Sequence, residues 1–150
     1  ALALVQLATE PDAAAYGFTA GQRYGWSRKA AFTPLPISPR QRLDDAIRAV
    51  SDLPFGGTDC ALPMRHAIDH DLEIDTFVIL TDNETWAGEE HPHQALRRYR
   101  DTSGIDARLI VVAMTATDFT IADPSDAGML DVAGFDSAVP NLITAFSRGI

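Results

Sequence analysis

Two apolar runs constrain this chain more than anything else in it. Asp75-Thr-Phe-Val-Ile-Leu-Thr81 and Arg108-Leu-Ile-Val-Val-Ala-Met114 are each about one strand long and apolar at consecutive positions. Continuous apolar runs of that length mark parallel strands covered on both faces. Between them, Pro92 to Arg100 has helical spacing. Pro92, Ala95, Leu96 and Tyr99 form its inner stripe, and Arg97, Arg98 and Arg100 belong in solvent. Pro92 suits the first helical position, where no amide donor is required. Strand, helix, strand in that order implies a right-handed crossover and a parallel sheet.

The remaining segments extend this plan. Ala1 to Ala8 reads as a helix with no capping residue before it, which suggests a chain cut from something longer. Ala13 to Phe18 reads as a short strand, and Gln22 to Trp26 returns after Gly21 as its antiparallel partner near a sheet edge. Thr33 to Pro39 is too rich in proline for a central strand and reads as a surface connection. Arg40 to Leu53 is amphipathic, with Leu43, Ala46, Ile47 and Val50 turned toward the sheet. After Gly56-Gly57 a second helix starts at Thr58 or Asp59 and runs to about His70, with Pro63 in its first turn. Met129 to Val132 is a candidate edge strand, and Val139, Leu142, Ile143 and Phe146 give the last helix its apolar face. The expected fold is α/β and doubly wound: a mostly parallel sheet with an antiparallel edge, helices on both faces, and one domain over residues 1–150.

Charge narrows the partners. With 12 basic and 21 acidic residues, the net charge is −9. A surface of that sign repels phosphate backbones and anionic membranes in general. No apolar run reaches the ~20 residues needed to cross a bilayer, and no secretion signal opens the chain. Cys60 is the single cysteine, so no internal disulfide forms, which suits a reducing compartment such as the cytoplasm.

Chemistry gathers at two strand-to-helix mouths. Gly56-Gly-Thr-Asp59 opens one helix, and the strand through Leu80 and Thr81 stops on Asp82. In open α/β sheets, ligands sit beyond the carboxyl ends of the strands. The Thr58 hydroxyl and the Asp82 carboxylate are hard oxygen donors of the kind Mg²⁺ or another divalent cation takes. Each also has a plain reading, Thr58 as a helix cap and Asp82 as a turn residue. Asp59 suits a cap or an outer acceptor, and Asn83 and Glu84 could hold waters around an ion. A second cluster, Glu84, Glu89, Glu90, His91 and His93, has zinc or iron donors. However, His-x-His at a helix start would not put both rings on one face, and an acidic helix start explains the cluster as well. No Gly-x-Ser-x-Gly elbow, dinucleotide fingerprint or phosphate-binding Gly-Lys-Ser/Thr occurs. The enzymatic alternative is a Mg²⁺-dependent hydrolase using Asp59, Asp82 and Glu84 as ion holders and base. No basic clamp for a substrate accompanies them.

Three long strings point to a family. Gly56-Gly-Thr-Asp-Cys-Ala-Leu-Pro-Met64, Thr81-Asp-Asn-Glu-Thr-Trp-Ala-Gly88 and Phe119-Thr-Ile-Ala-Asp-Pro-Ser-Asp-Ala-Gly-Met-Leu-Asp131 resemble the von Willebrand factor A domain of the Ro ribonucleoprotein autoantigens, in a bacterial form. His91 to Arg100 and Arg108 to Met114 fit as well, so the likeness covers nearly the whole chain. The resemblance implies a Rossmann-like A domain with a metal-ion-dependent adhesion site. Thr58 and Asp82 match two of its ligand positions. The Asp-x-Ser-x-Ser loop and the central first strand are expected upstream of Ala1, making this a C-terminal piece. The resemblance further implies a non-enzymatic module that closes a ring of helical repeats. In that family the ring binds Y RNA and misfolded noncoding RNA in RNA quality control. A protein partner would complete the ion's shell with a carboxylate, and no membrane is involved.

Overall fold

A computed structural model describes residues 1–19, 23–24, 27–28, 31–53, 57–82, 89–115 and 121–150. They gather into two compact units, Ala1–Gly57 and Thr58–Ile150.

In the first unit, α1 (Leu2–Thr9) precedes β1 (Tyr16–Thr19). The partner of β1 differs from expectation. β1 pairs antiparallel with β4 (Ala31–Pro34), Phe18 opposite Phe32, while β2 (Arg23–Tyr24) pairs with β3 (Ser27–Arg28). Pro34 joins a strand because the neighbouring residue supplies the ladder bond: the Leu35 amide donates to Ala15 O at 2.9 Å. Bonded and non-bonded pairs alternate in an antiparallel ladder, so Pro34 occupies a position where no amide is called on. Tyr16 and Phe32 stack with centroids 4.6 Å apart. Helix α2 (Leu43–Ser51) carries Asp44 and Asp45 in its first turn, where the helix dipole favours them. Its apolar stripe is less covered than its spacing predicts. Ala46 is buried, but Leu43 and Ile47 are 45% and 50% exposed.

The second unit is built on a parallel sheet in the order β5-β6-β7: β5 (Thr76–Thr81), β6 (Arg108–Ala113) and β7 (Met129–Ala133). Ile79 stands opposite Val111, and Val111 opposite Asp131. Leu109, Ile110, Val111 and Val112 of β6 are all buried, as a central parallel strand requires. The β5 strand is covered on one face only. Phe77 and Ile79 are buried, whereas Val78 and Leu80 are 37% and 38% exposed. β5 lies at one edge of this three-stranded sheet, so the two-sided burial expected of it does not occur.

Helix α4 (Pro92–Ser103) realises the predicted stripe, with Pro92, Ala95, Leu96 and Tyr99 buried. Tyr99 meets Phe77 edge to face at 5.1 Å. Its hydroxyl donates to Leu72 O at 2.7 Å and accepts from the Ile74 amide at 2.6 Å, which ties the entry to β5 onto the helix. The helix stops at Gly104, whose φ of 74° is the left-handed conformation glycine adopts without a Cβ penalty. α3 (Leu62–Asp69) packs beside α4, and α5 (Val139–Ser147) buries Val139 and Ile143. The fold is α/β. Its antiparallel strands form their own two-stranded ribbons. Among the described residues, no helix is long and apolar enough to cross a membrane.

Candidate metal centre at the carboxyl end of the sheet

The second mouth begins where β5 ends. Thr81 is buried, and Asp82 emerges directly after it at the carboxyl end of the strand, exposed to solvent. The first mouth is the turn Thr58-Asp59-Cys60. Thr58 is half-buried, while Asp59 and Cys60 are buried.

Helix α3 starts at Leu62, later than the Thr58 or Asp59 expected, because Asp59 folds the chain into a turn first. Its Oδ1 accepts from the Ala61 amide, two residues on, at 3.1 Å. This local side-chain-to-backbone bond competes with helix, as short acidic side chains commonly do. Asp59 Oδ2 accepts from the Arg65 guanidinium in an ion pair, with the Asp59 side chain 6% exposed. Both oxygens are thus engaged within the fold. Asp59 is a turn acceptor and a charge partner rather than the cap of α3, and Arg65 neutralises it. Asp59, one of the three carboxylates of the hydrolase alternative, is thus paired with Arg65 and the Ala61 amide. Glu84, another of the three, lies outside the described residues, as does Asn83.

The Cys60 thiol reports the local field. Burial first, then the charges of Asp59 and Asp82, push its pKa up to about 12. Both carboxylates disfavour the thiolate, so the Cys60 side chain stays protonated. A hydroxyl and a carboxylate leaving two such mouths are the hard oxygen donors Mg²⁺ accepts, and two donors leave most of an octahedral shell for other groups and water. Among the described residues, no group of three or more His, Cys, Asp or Glu side chains is placed to hold a metal.

The histidine cluster has a structural role. His91 caps α4: its Nδ1 accepts from the His93 amide at 3.4 Å, and the His91 amide donates to Gln94 Oε1 at 3.3 Å. The His91 and His93 rings lie 4.1 Å apart, closer than helical spacing would place them, because His91 has an extended backbone outside the helix. Burial, then the neighbouring His93, lowers the His91 pKa. Glu90 is held by Arg98 through two hydrogen bonds of 3.1 and 2.7 Å.

Sequence reasoning missed the ties on the loop after β6. Arg100 donates to Asp126 Oδ2 at 2.6 Å and to Ala107 O at 2.7 Å, and Arg97 pairs with Asp123. Asp131 of β7 accepts from the Ala122 amide at 3.2 Å, and burial raises its carboxyl above the usual range. Helical spacing assigns all three arginines of α4 to solvent, and nothing local in the sequence signals partners so far along the chain.

Comparison with known proteins fits this architecture. A family profile described as the Ro60 vWA domain matches residues 1–147. The chain is 49% identical over 149 residues to the RNA-binding protein RO60 of Deinococcus radiodurans, covering 99% of this chain and 26% of that protein. It is 52% identical over 118 residues to RNA-binding protein RO60 of Caenorhabditis elegans, covering 78% of this chain and 18% of that one. The crystal structure of the Deinococcus radiodurans RO (RSR) protein superposes with a TM-score of 0.83 at 49% identity, over 99% of this chain and 28% of that one. The chain spans about a quarter of the Deinococcus relative's length. A profile match over nearly all residues, with relatives at about half identity, shows that this chain belongs to the family of Ro60 von Willebrand factor A domains.

Proposed function

We propose that this chain is the metal-dependent binding domain of a Ro-type RNA-binding protein, and that it is not an enzyme. Thr58 and Asp82 supply two ligands to Mg²⁺ or a similar divalent cation. The remaining ligands come from an Asp-x-Ser-x-Ser segment, from water, and from a carboxylate on a protein partner. When bound, the ion supplies a Lewis-acidic docking point for that carboxylate. Asp59 and Arg65 hold the turn that presents Thr58, and β5 presents Asp82. In the whole protein, the domain closes a ring of helical repeats that binds Y RNA and misfolded noncoding RNA in cytoplasmic RNA quality control.

The observation that supports this reading is the placement of Asp82 directly after β5, exposed at the carboxyl end of the parallel sheet, with the half-buried Thr58 in the turn that precedes α3. Two relatives bearing the name RNA-binding protein RO60 support the wider role. Engagement of both Asp59 oxygens weighs against hydrolysis, which needs a carboxylate available to an ion or a water.

The test uses a chain that also carries the Asp-x-Ser-x-Ser segment. Its melting temperature is followed while Mg²⁺ is titrated. An ion bound only by the folded state stabilises it by about 2.7 kcal/mol at a hundredfold excess over Kd. Asp82→Ala should abolish that rise. If Asp82→Ala responds to Mg²⁺ as the unsubstituted protein does, Asp82 is no ligand.

A further inference from the structure

Helix α3 carries chemistry beside its buried stripe. Met64 and Ala67 are its buried positions. His66 is half-buried, and Asp69 and His70 are exposed. His66 and His70 are four residues apart, the spacing that sets two side chains one above the other on a helical face. His70 follows the last helical residue, yet its amide still donates to His66 O at 3.1 Å, so the helical offset holds to that point. The two imidazole rings stack with centroids 4.1 Å apart and planes 28° apart. Two histidines at this spacing form the zinc-binding face of the metalloprotease helix motif.

The His70 ring is also oriented. Its Nδ1 lies 2.9 Å from His66 O. A carbonyl oxygen only accepts, so Nδ1 carries the proton and Nε2 the lone pair. The same arrangement surrounds metal-bound histidines, whose other ring N–H donates to a carbonyl or carboxylate and so fixes the ligating nitrogen. Burial first, then the charge of His70, holds the His66 pKa below its ordinary 6.5, against the opposing pull of Asp69. The His66 ring is therefore neutral at pH 7, the form that binds a metal. Two nitrogens on one tetrahedral ion, each at about 2.1 Å, stand about 3.4 Å apart. Rings already 4.1 Å apart reach that separation by a small tilt. The other histidine pair differs. His91 and His93 are equally close, but His91 Nδ1 is taken up in accepting from the His93 amide.

We infer that His66 and His70 of α3 chelate a divalent transition-metal ion such as Zn²⁺ or Cu²⁺, with water completing its shell. Imidazole suits these ions, whereas Mg²⁺ takes oxygen. The site shares neither residues nor ion class with the proposed centre at Thr58 and Asp82.

The experiment titrates Zn²⁺ into the full, untagged chain in saturating Mg²⁺, and follows melting temperature. An ion held by the folded state alone raises the midpoint by mass action. His70→Gln replaces an exposed ring and should weaken Zn²⁺ binding about a hundredfold, as should His66→Gln. Asp82→Ala and His93→Gln should respond to Zn²⁺ as the unsubstituted chain does. If His66→Gln does not fold, ring nitrogen resonances of the unsubstituted chain take its place: Zn²⁺ should shift those of His66 and His70 and leave that of His93. No saturable Zn²⁺ binding, or unchanged affinity in His70→Gln, overturns the inference. So does loss of binding in Asp82→Ala or His93→Gln, or a shift confined to His91 and His93. The Mg²⁺ response is read without Zn²⁺, so failure of the oxygen site and failure of this one are distinguishable.

Discussion

Cys60 illustrates how one side chain can report on its neighbours. A thiol becomes nucleophilic only as the thiolate, and here burial and two carboxylates oppose that form. The folded pKa of about 12 stands above the ordinary 9.0. The protonated thiol therefore contributes stability that is complete below pH 9 and is lost as pH rises toward 12. At pH 8 the native chain should resist a disulfide reagent such as dithionitrobenzoate for hours, and should react at once after unfolding in guanidinium. Complete labelling of the native chain within minutes would contradict this account. Among candidate ligands, the sequence indicated Thr58 and Asp82 as oxygen donors at strand-to-helix mouths. It did not reveal that Asp59 is consumed by Arg65, because a spacing of six across a turn matches no helical neighbour rule.

At the level of elements, periodicity carried the reading where the period was long. α4 and β6 were legible because their apolar residues recur on one face or fill the whole run. The pairing of β1 with β4 was not legible, because proline does not exclude every ladder position. It excludes only the positions whose amide is needed, and Pro34 avoids them. The stretch 121–128 before β7 was not legible at all, since ion pairs to the distant Arg97 and Arg100 hold it. There, burial would raise the Asp126 carboxyl, but hydrogen bonds from Arg100 and the Gly128 amide, with the charges of Arg100 and Arg97, bring it below the usual range. A lowered carboxyl contributes stability above its ordinary value of 3.8 and loses it as pH falls through the folded value. Arg100→Ala should cost about 2–3 kcal/mol in urea unfolding at pH 7, because it leaves a half-buried carboxylate and the Ala107 carbonyl without their donor. The deficit should shrink at pH 3. An equal deficit at both pH values would assign the loss to packing alone.

On the scale of the whole molecule, the family likeness explains more than composition could. Net charge argued against nucleic acid, yet the sum of −9 conceals one nearly neutral unit and one strongly acidic unit. A chain average cannot describe charge divided so unevenly along the sequence.

The half-covered strand β5 has a practical consequence. Val78 and Leu80 lie on one face of an edge strand, the arrangement that invites copies of a chain to add to one another's sheets. Concentrated solutions of the isolated 150-residue chain should turn cloudy, soonest near its isoelectric point of about 4.7, where mutual repulsion vanishes. Val78→Thr/Leu80→Thr should delay that clouding in light scattering, and an unchanged onset would place the sticky surface elsewhere. Anyone handling this domain alone should work well above that pH and at low concentration, because its shelf life depends on how often two such strands collide.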